Sequence, residues 1–411
     1  MGRMKGILST PKEIEALAAE LSKHSIISFD TEFIRENTFF PVVELIQVAT
    51  DQDSWLVDAQ PFRMGRPGAP AGEYGVKGIQ PLLDVFQDKK ILKIIHAAQG
   101  DQECLATAFG VVASPSMDTA IAASLCGYGD GIGLGNLLKT VLGVTIKKGH
   151  ARTNWSVRPL PDQLHEYAHA DVETLVEAGR KLIAELEKKG RKDWAMEQSA
   201  KYEEMALYEP DPDGLTDRLA KGGKLDLKGY SALVELMRWR ETRVRQLNLP
   251  RRWVADDQVL IDLANVRPKD MGHLSAFRGL NKGELKNSGE AILEALRRAQ
   301  ESPKTDRPAR GPRLEQPSAQ EARVLDLLQA YVAILADQHA IAPKHLMTAS
   351  QLLPLLRSKA QSPQDWVSQK ILTEGAVRLA GNEIWAFLHG KRALSVDLSH
   401  SERRVKTVEL E

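Results

Sequence analysis

The sequence predicts an α/β domain, a mixed sheet flanked by helices, followed by one or two all-α helical bundles. Three observations carry that reading. Between residues 25 and 58 the short β-rich runs ISFD, ELIQVAT and SWLVDA are separated by polar turns. A further strand-like run, ILKIIH, gives way to helical patterns from Gln99 to Lys192. Strands first, then strand and helix in alternation, is the order of an α/β sandwich. From Leu227 to Gln300 the chain reads as almost wholly helical.

Each element has a local reason. STPKEIEALAAEL opens an amphipathic helix, with Thr10 as N-cap, Pro11 in the first turn and Glu13 closing a capping box. The three β-runs form an antiparallel meander, with Asp51-Gln52-Asp53 as the second turn. Residues 64 to 78 are rich in Gly, Pro and Ala and read as a surface loop. PLLDVF starts a helix, and a small strand is expected near Val111. GYGDGIGLGNLL lacks the spacing of a phosphate-binding loop and reads as a turn before a helix from Leu134. Residues 208 to 224 and 301 to 320 are polar with prolines and read as linkers. A third helical segment runs from Glu321 to about Phe387, and QHAIAPKHLMTASQLLPLLR repeats the theme of the preceding bundle. The division expected is a catalytic-type domain at 1–200, a linker at 201–225, a bundle at 226–301, a linker at 302–320, a second bundle at 321–400 and a tail at 401–411.

Composition narrows the function. The chain has 411 residues, enough for two or three cores. Lys+Arg and Asp+Glu are both 55, so any nucleic-acid site must come from local clustering. Cys104 and Cys126 match no metal-ligand spacing and read as buried free thiols. The N-terminus lacks the apolar core of a signal peptide, and no apolar run approaches a membrane span. A cytoplasmic monomer with no membrane partner is expected.

The strand ISFDTEF carries Asp30 and Glu32 one residue apart, hence on one face. Two adjacent carboxylates raise each other's pKa and call for a cation. Asp101 follows ILKIIH in the first turn of a helix, where an acid also suits the helix dipole. Tyr167 and Asp171 are four apart on a late helix and face the same way. The ordered set is more specific than any member: D-x-E on a strand, Asp at a strand-to-helix junction, Y-x-x-x-D on a helix.

That set resembles the three exonuclease motifs of the DEDD superfamily, in its tyrosine-bearing branch. DTEFIRENTFFPVVELIQVAT, HAAQGDQECL, MDTAIAASLCGYG, ARTNWSVRPLPDQLHEYAHADV and the later YSALVELMRWRETRVRQLNLPRRWVADDQVLIDLANVRP are similar to the ribonuclease D family. The resemblance implies a ribonuclease-H-like exonuclease fold followed by one or two helical modules of the HRDC type. It implies that Asp30, Glu32, Asp101 and Asp171 bind metal and that Tyr167 is the active-site tyrosine. The histidine-bearing branch has His five residues before the last Asp, where this chain has Glu166. An all-oxygen ligand set favours two Mg²⁺ or Mn²⁺ ions. The implied activity is 3′–5′ trimming of structured RNA, tRNA precursors in particular. A DNA exonuclease and a non-catalytic nucleic-acid-binding protein are the alternatives, and no G-x-x-x-x-G-K-[ST] helicase loop occurs.

Other residues have two readings each. Phe33 would by resemblance lie near the terminal nucleotide, or serve as an ordinary core Phe. Lys147, Lys148, His150, Arg152 and Arg158 gather around Trp155, suiting a single-stranded substrate, or form a solvated charge run beside a buried Trp. His96 reads as a core histidine and Asp118 as a cap or supporting acid. Between 226 and 305 there are fifteen Lys/Arg against eleven Asp/Glu, a small excess. Its basic residues cluster, however, at Arg238, Arg240, Arg243 and Arg245, then Arg251 and Arg252, with Arg240 and Arg243 as expected phosphate contacts.

Overall fold

The capping box forms as the sequence indicates. Glu13 N–H donates to Thr10 Oγ1, and Thr10 N–H donates to Glu13 Oε2 at 2.9 Å. The structure is a computed structural model that describes residues 6–146, 149, 153–220, 225–277, 279–280, 282–301, 316–399 and 404–410. Expectations placed on Lys147, Lys148, His150 and Arg152 lie outside the described residues.

The α/β part comprises β1 (Ile7–Leu8), α1 (Pro11–Leu21), β2 (Ile26–Ile34), β3 (Val42–Ala49), β4 (Ser54–Asp58), α2 (Gln80–Gln87), β5 (Leu92–Ile95), α3 (Gln99–Phe109), β6 (Ser116–Asp118), α4 (Thr119–Cys126), α5 (Leu134–Leu142), α6 (Asp162–Val172), α7 (Leu175–Lys188) and α8 (Lys192–Ala200). Strand order is β1-β4-β3-β2-β5-β6. The meander β2-β3-β4 is antiparallel; β5 beside β2, β6 beside β5 and β1 beside β4 are parallel. Alternation along the strands sorts the two faces. Ile27, Phe29 and Ile95 pack toward α1, α2 and α3, with the Phe29 and Phe86 rings stacked at 4.6 Å. Ile94 and Met117 face α4 and α7 on the other side. A Cβ on Gly179 would stand 2.9 Å from Ile94, so α7 can lie this close to the sheet only with glycine there.

Sequence and structure differ in four places. Val111 is in no strand: Gln102 takes both backbone groups of Ala113 (2.7 and 2.8 Å), and pairing starts only at Ser116. The two-residue β1 is too short to leave a pattern. Within the expected first linker, Asp211 caps α9 (Pro212–Ala220) through Gly214 N–H, and Asp217 accepts from Tyr230 of the next helix. The expected tail is half of a hairpin, β7 (Arg392–Asp397) paired with β8 (Arg404–Glu409), where alternation in RALSVD and RVKTVE is too weak to stand out.

Two helical bundles follow. The first is α10 (Leu227–Leu247), α11 (Arg251–Val254), α12 (Asp257–Val266), α13 (Met271–Ser275) and α14 (Lys282–Glu301). The second is α15 (Ala319–Gln338), α16 (Pro343–Leu346), α17 (Ala349–Leu356), α18 (Pro363–Ser368) and α19 (Glu374–Leu388). Helix lengths run 21, 4, 10, 5, 20 and 20, 4, 8, 6, 15, so the order long-short-medium-short-long is repeated. Each four-residue helix is preceded by a positive-φ residue, Asn248 (52°) or Ala340 (50°), and followed by an extended one, Ala255 or Met347.

The second bundle shares one continuous apolar core with α4, α7 and α8. Trp194 Nε1–H donates to Thr373 Oγ1 at 3.0 Å, and a Cβ on Gly375 would come within 2.1 Å of the indole. The first bundle keeps its own core and reaches the α/β domain through Asn248, which accepts from the N–H groups of Phe39 and Phe40 and donates to Pro67 O.

Candidate active site

Strand β2 outruns its neighbour. Pairing with β5 ends at Ser28↔Ile94, so on that edge the backbone of Asp30 to Ile34 has no strand beside it. The first turn of α3 fills the gap. Thr31 N–H and Oγ1–H both donate to Asp101 Oδ1, at 2.9 and 2.6 Å. The Asp101 carboxyl also hydrogen-bonds Asp30. The turn between β5 and α3 places Ala97 at φ 56°, and Asp118 holds it there, accepting from Ala97 N–H and Ala98 N–H at 3.0 Å. The same carboxylate caps α4 through Ala120 N–H at 2.8 Å. Asp118 is therefore the cap and supporting acid that its sequence context suggests. His96, bonded to Thr119 Oγ1 at 2.9 Å, is the satisfied core histidine.

On the other face α6 crosses β2, β3 and β4. Ser28 Oγ–H donates to Val172 O at 3.1 Å, and Ser54 Oγ meets His169 Nδ1 at 2.7 Å. One helical turn spans Tyr167 and Asp171, so both reach Asp30 and Glu32. Ligand oxygens of Asp30, Glu32 and Asp171 all lie within 4.8 Å of one another. Asp101 adjoins Asp30 just outside that set, and the Tyr167 hydroxyl hydrogen-bonds Asp171.

Among the described residues no cation offsets these four acids, which depress one another's ionisation. Burial, then the charges of Asp30, Asp171 and Asp101, push Glu32 up to about 9. Burial and the Asp30 charge raise Asp171 to about 7; burial raises Asp30 to about 6, against hydrogen bonds from Asp101 and Thr31. Asp101 is raised by burial and by Asp30. The Tyr167 phenol is also pushed up, by burial first and then by Asp171, Glu32 and Asp30, so it keeps its proton at neutral pH. Clustered, buried carboxylates in this state are built to take up hard cations.

Gln47 was missed in the sequence. It pairs across from Asp30, so the two share a face, and its fully buried amide nitrogen and oxygen have no hydrogen-bond partner among the described residues. Such an orphaned amide fits a site for a hydrated ion, whose waters could satisfy it. Its signal was a lone amide in the otherwise apolar run LIQVA.

Two expected substrate contacts, Trp155 and Arg240, are corrected. Trp155 is 1% exposed, walled in by Leu45, Leu56, Leu160 and Leu164, and its ring lies 6.1 Å from that of Tyr167. It braces the tyrosine and offers no face to a base. Arg240 is also buried, its guanidinium on Asp257 Oδ1 (2.5 Å) and Ala255 O (3.2 Å), so it cannot reach a phosphate. Arg243 is engaged by both carboxylate oxygens of Glu284 at 3.1 and 3.3 Å. Arg158 is tied to Asp58 by two 2.7 Å bonds. Phe33, half-buried, packs against the α/β core on the face covered by α1, α2 and α3, near Gly100.

The chain is similar to known nucleases. A family described as 3'-5' exonuclease matches residues 6–189, and the HRDC domain family matches residues 231–296. Ribonuclease D of Gluconacetobacter diazotrophicus is 31% identical, with 97% of this chain and 96% of the relative covered. Ribonuclease D of Bartonella henselae is 32% identical, covering 85% and 83%. Among solved structures, Escherichia coli RNase D, described as an exoribonuclease involved in structured RNA processing, superposes with a TM-score of 0.75 at 25% identity, over 94% of this chain and 97% of that one.

Proposed function

The chain belongs to the ribonuclease D family and is a 3′–5′ exoribonuclease, and on that premise we propose that it trims the 3′ ends of structured RNAs, tRNA precursors among them, by metal-dependent hydrolysis at Asp30, Glu32, Asp101 and Asp171. The observation that supports this reading most is the meeting of acids from β2, α3 and α6 around Asp30. Bound there, two Mg²⁺ or Mn²⁺ ions would supply an activated water and charge stabilisation at the leaving 3′ oxygen. Asp30 is the shared neighbour, touching Asp101 on one side and grouped with Glu32 and Asp171 on the other. Thr31 fixes Asp101 through two hydrogen bonds, and Asp118 fixes the turn that delivers it. Tyr167, protonated and bonded to Asp171, orients the attacking water rather than deprotonating it. Nucleoside 5′-monophosphates are the products of that attack. The cytoplasm is the proposed setting and a monomer the proposed form; no described helix is long and apolar enough to cross a membrane.

The test is Asp30→Asn. Mg²⁺-dependent trimming of a 3′-extended RNA should fall by at least about a thousandfold, while a gel-shift assay shows RNA binding retained. Wild-type turnover in the variant would remove Asp30 from the mechanism. Digestion of matched RNA and DNA substrates separates the ribonuclease from a DNA exonuclease.

A further inference from the structure

In the second bundle the docked surface runs from the positive-φ corner at Ala340 through α16. Ala340 abuts Gly127, Arg191 donates to His339 O at 3.1 Å, and His345 is buried between Ser124 Oγ (2.9 Å) and Gln198 Oε1 (2.6 Å). In the first bundle the matching corner, Asn248, also grips the α/β domain and Arg251 lies over the Phe39 ring at 4.9 Å, but Trp253 is left out of the contact. The helix that follows, α11, looks into a cleft of about 560 Å³ between the bundle and the loop after β2. Trp253, at the position that His345 fills in the second bundle, is 52% exposed, and the Arg252 side chain is 86% exposed. Arg35 and Phe39 form the opposite wall.

We propose that this cleft holds the single-stranded segment of RNA immediately upstream of the nucleotide being removed. The proposal rests on the exonuclease reading above and adds a place for the strand outside the carboxylate cluster. Three features support a nucleic-acid occupant. The half-exposed indole supplies a stacking surface at the mouth of a groove lined by arginines, the combination that binds single strands without sequence preference. The arginines keep donors to spare: Arg35 uses two of its N–H groups on Glu103 and Phe39 O, Arg251 two on Glu241, and Arg252 one on Asp256, out of five each. Three arginines outnumber the two acids of the lining, Glu36 and Asp256, and the Arg252 side chain turns outward, so a phosphate is attracted to the cleft. Position favours the same occupant. Arg35 follows Glu32 by three residues, just past the end of β2, so its backbone lies roughly 10 Å or less from that of Glu32, close enough for one strand to pass from the cleft to the carboxylates.

Single-stranded RNA oligonucleotides of increasing length, hydrolysed under one set of metal and salt conditions, test this. Trp253→Ala and Arg252→Ala should raise KM roughly tenfold for oligonucleotides long enough to enter the cleft, with kcat kept, and the penalty should grow with length. Trp253→Phe should restore most of the affinity, a rescue that a purely structural role for the indole would not need. Binding of a long oligonucleotide should quench Trp253 fluorescence, seen as the difference between wild type and Trp253→Phe. A penalty equal for a dinucleotide and a long strand, or none at any length, would overturn the proposal. Inactivity of the wild type on every RNA would instead count against the exonuclease reading itself.

Discussion

Trp253 and His345 occupy one place in two copies of a helical plan, one half-exposed and the other 5% exposed. The difference lies in what each bundle meets. The second lies against an apolar wall of Leu182, Leu186 and Trp194, and its helices complete that core. The first meets a loop, held by Asn248 and by Arg245 and Arg251 over the Phe39 ring at 5.2 and 4.9 Å. Apolar burial scales with area and welds, whereas a few hydrogen bonds and cation–π contacts position without closing the gap. One bundle thus serves as part of the catalytic domain's core. The other can leave a groove beside the active site.

The comparison breaks most visibly at Trp194. Replacing it with Ala removes a fully buried indole from the shared core and should cost about 3–5 kcal/mol, read as a lower urea midpoint for the whole α/β domain. A loss confined to the second bundle would mean that the two are not one cooperative unit. Asn248→Ala should cost less, on the order of 1–2 kcal/mol, and should raise hydrogen exchange in residues 38–40 and α11 while the sheet stays protected. Equal deprotection of the sheet would make the first bundle as integral as the second.

The smallest effect is also the most selective. Burial, and next the neighbouring Lys344 charge, hold His345 near pKa 4, below the 6.5 of an exposed imidazole. Between those values the unfolded chain binds more protons, so stability falls as pH drops through that window and is regained above it. Exchange in α4 and α16 should therefore rise between pH 6.5 and 4 in wild type and rise less in His345→Gln. Indifference of wild type to that acidification would show that His345 does not couple the two units.

How much of this could be read in advance depends on what a residue's chemistry reveals about its surroundings. Asp30 and Glu32 were legible as two carboxylates on one face of an apolar strand, whereas Asp101, Tyr167 and Asp171 stood out only as members of an ordered set that resembles the family's motifs. The meander and the bundles were legible from periodicity. Arg240 and Trp155 misled because a charge or an indole in sequence looks the same exposed or buried, and only the fold supplies Asp257 or the wall of leucines. Gln47 stayed hidden because its isolation becomes evident only when Asp30 is seen across the strand pair. The weld of the second bundle was invisible for the same reason: Gly375 matters only beside Trp194.

All of the chemistry above depends on the carboxylates around Asp30 acting together on metal. Anomalous scattering from crystals soaked in Mn²⁺ measures that directly. Two peaks are expected, both in contact with Asp30 and within the reach of Glu32, Asp101 and Asp171. Full occupancy elsewhere on the surface, with no peak at Asp30, would contradict the account.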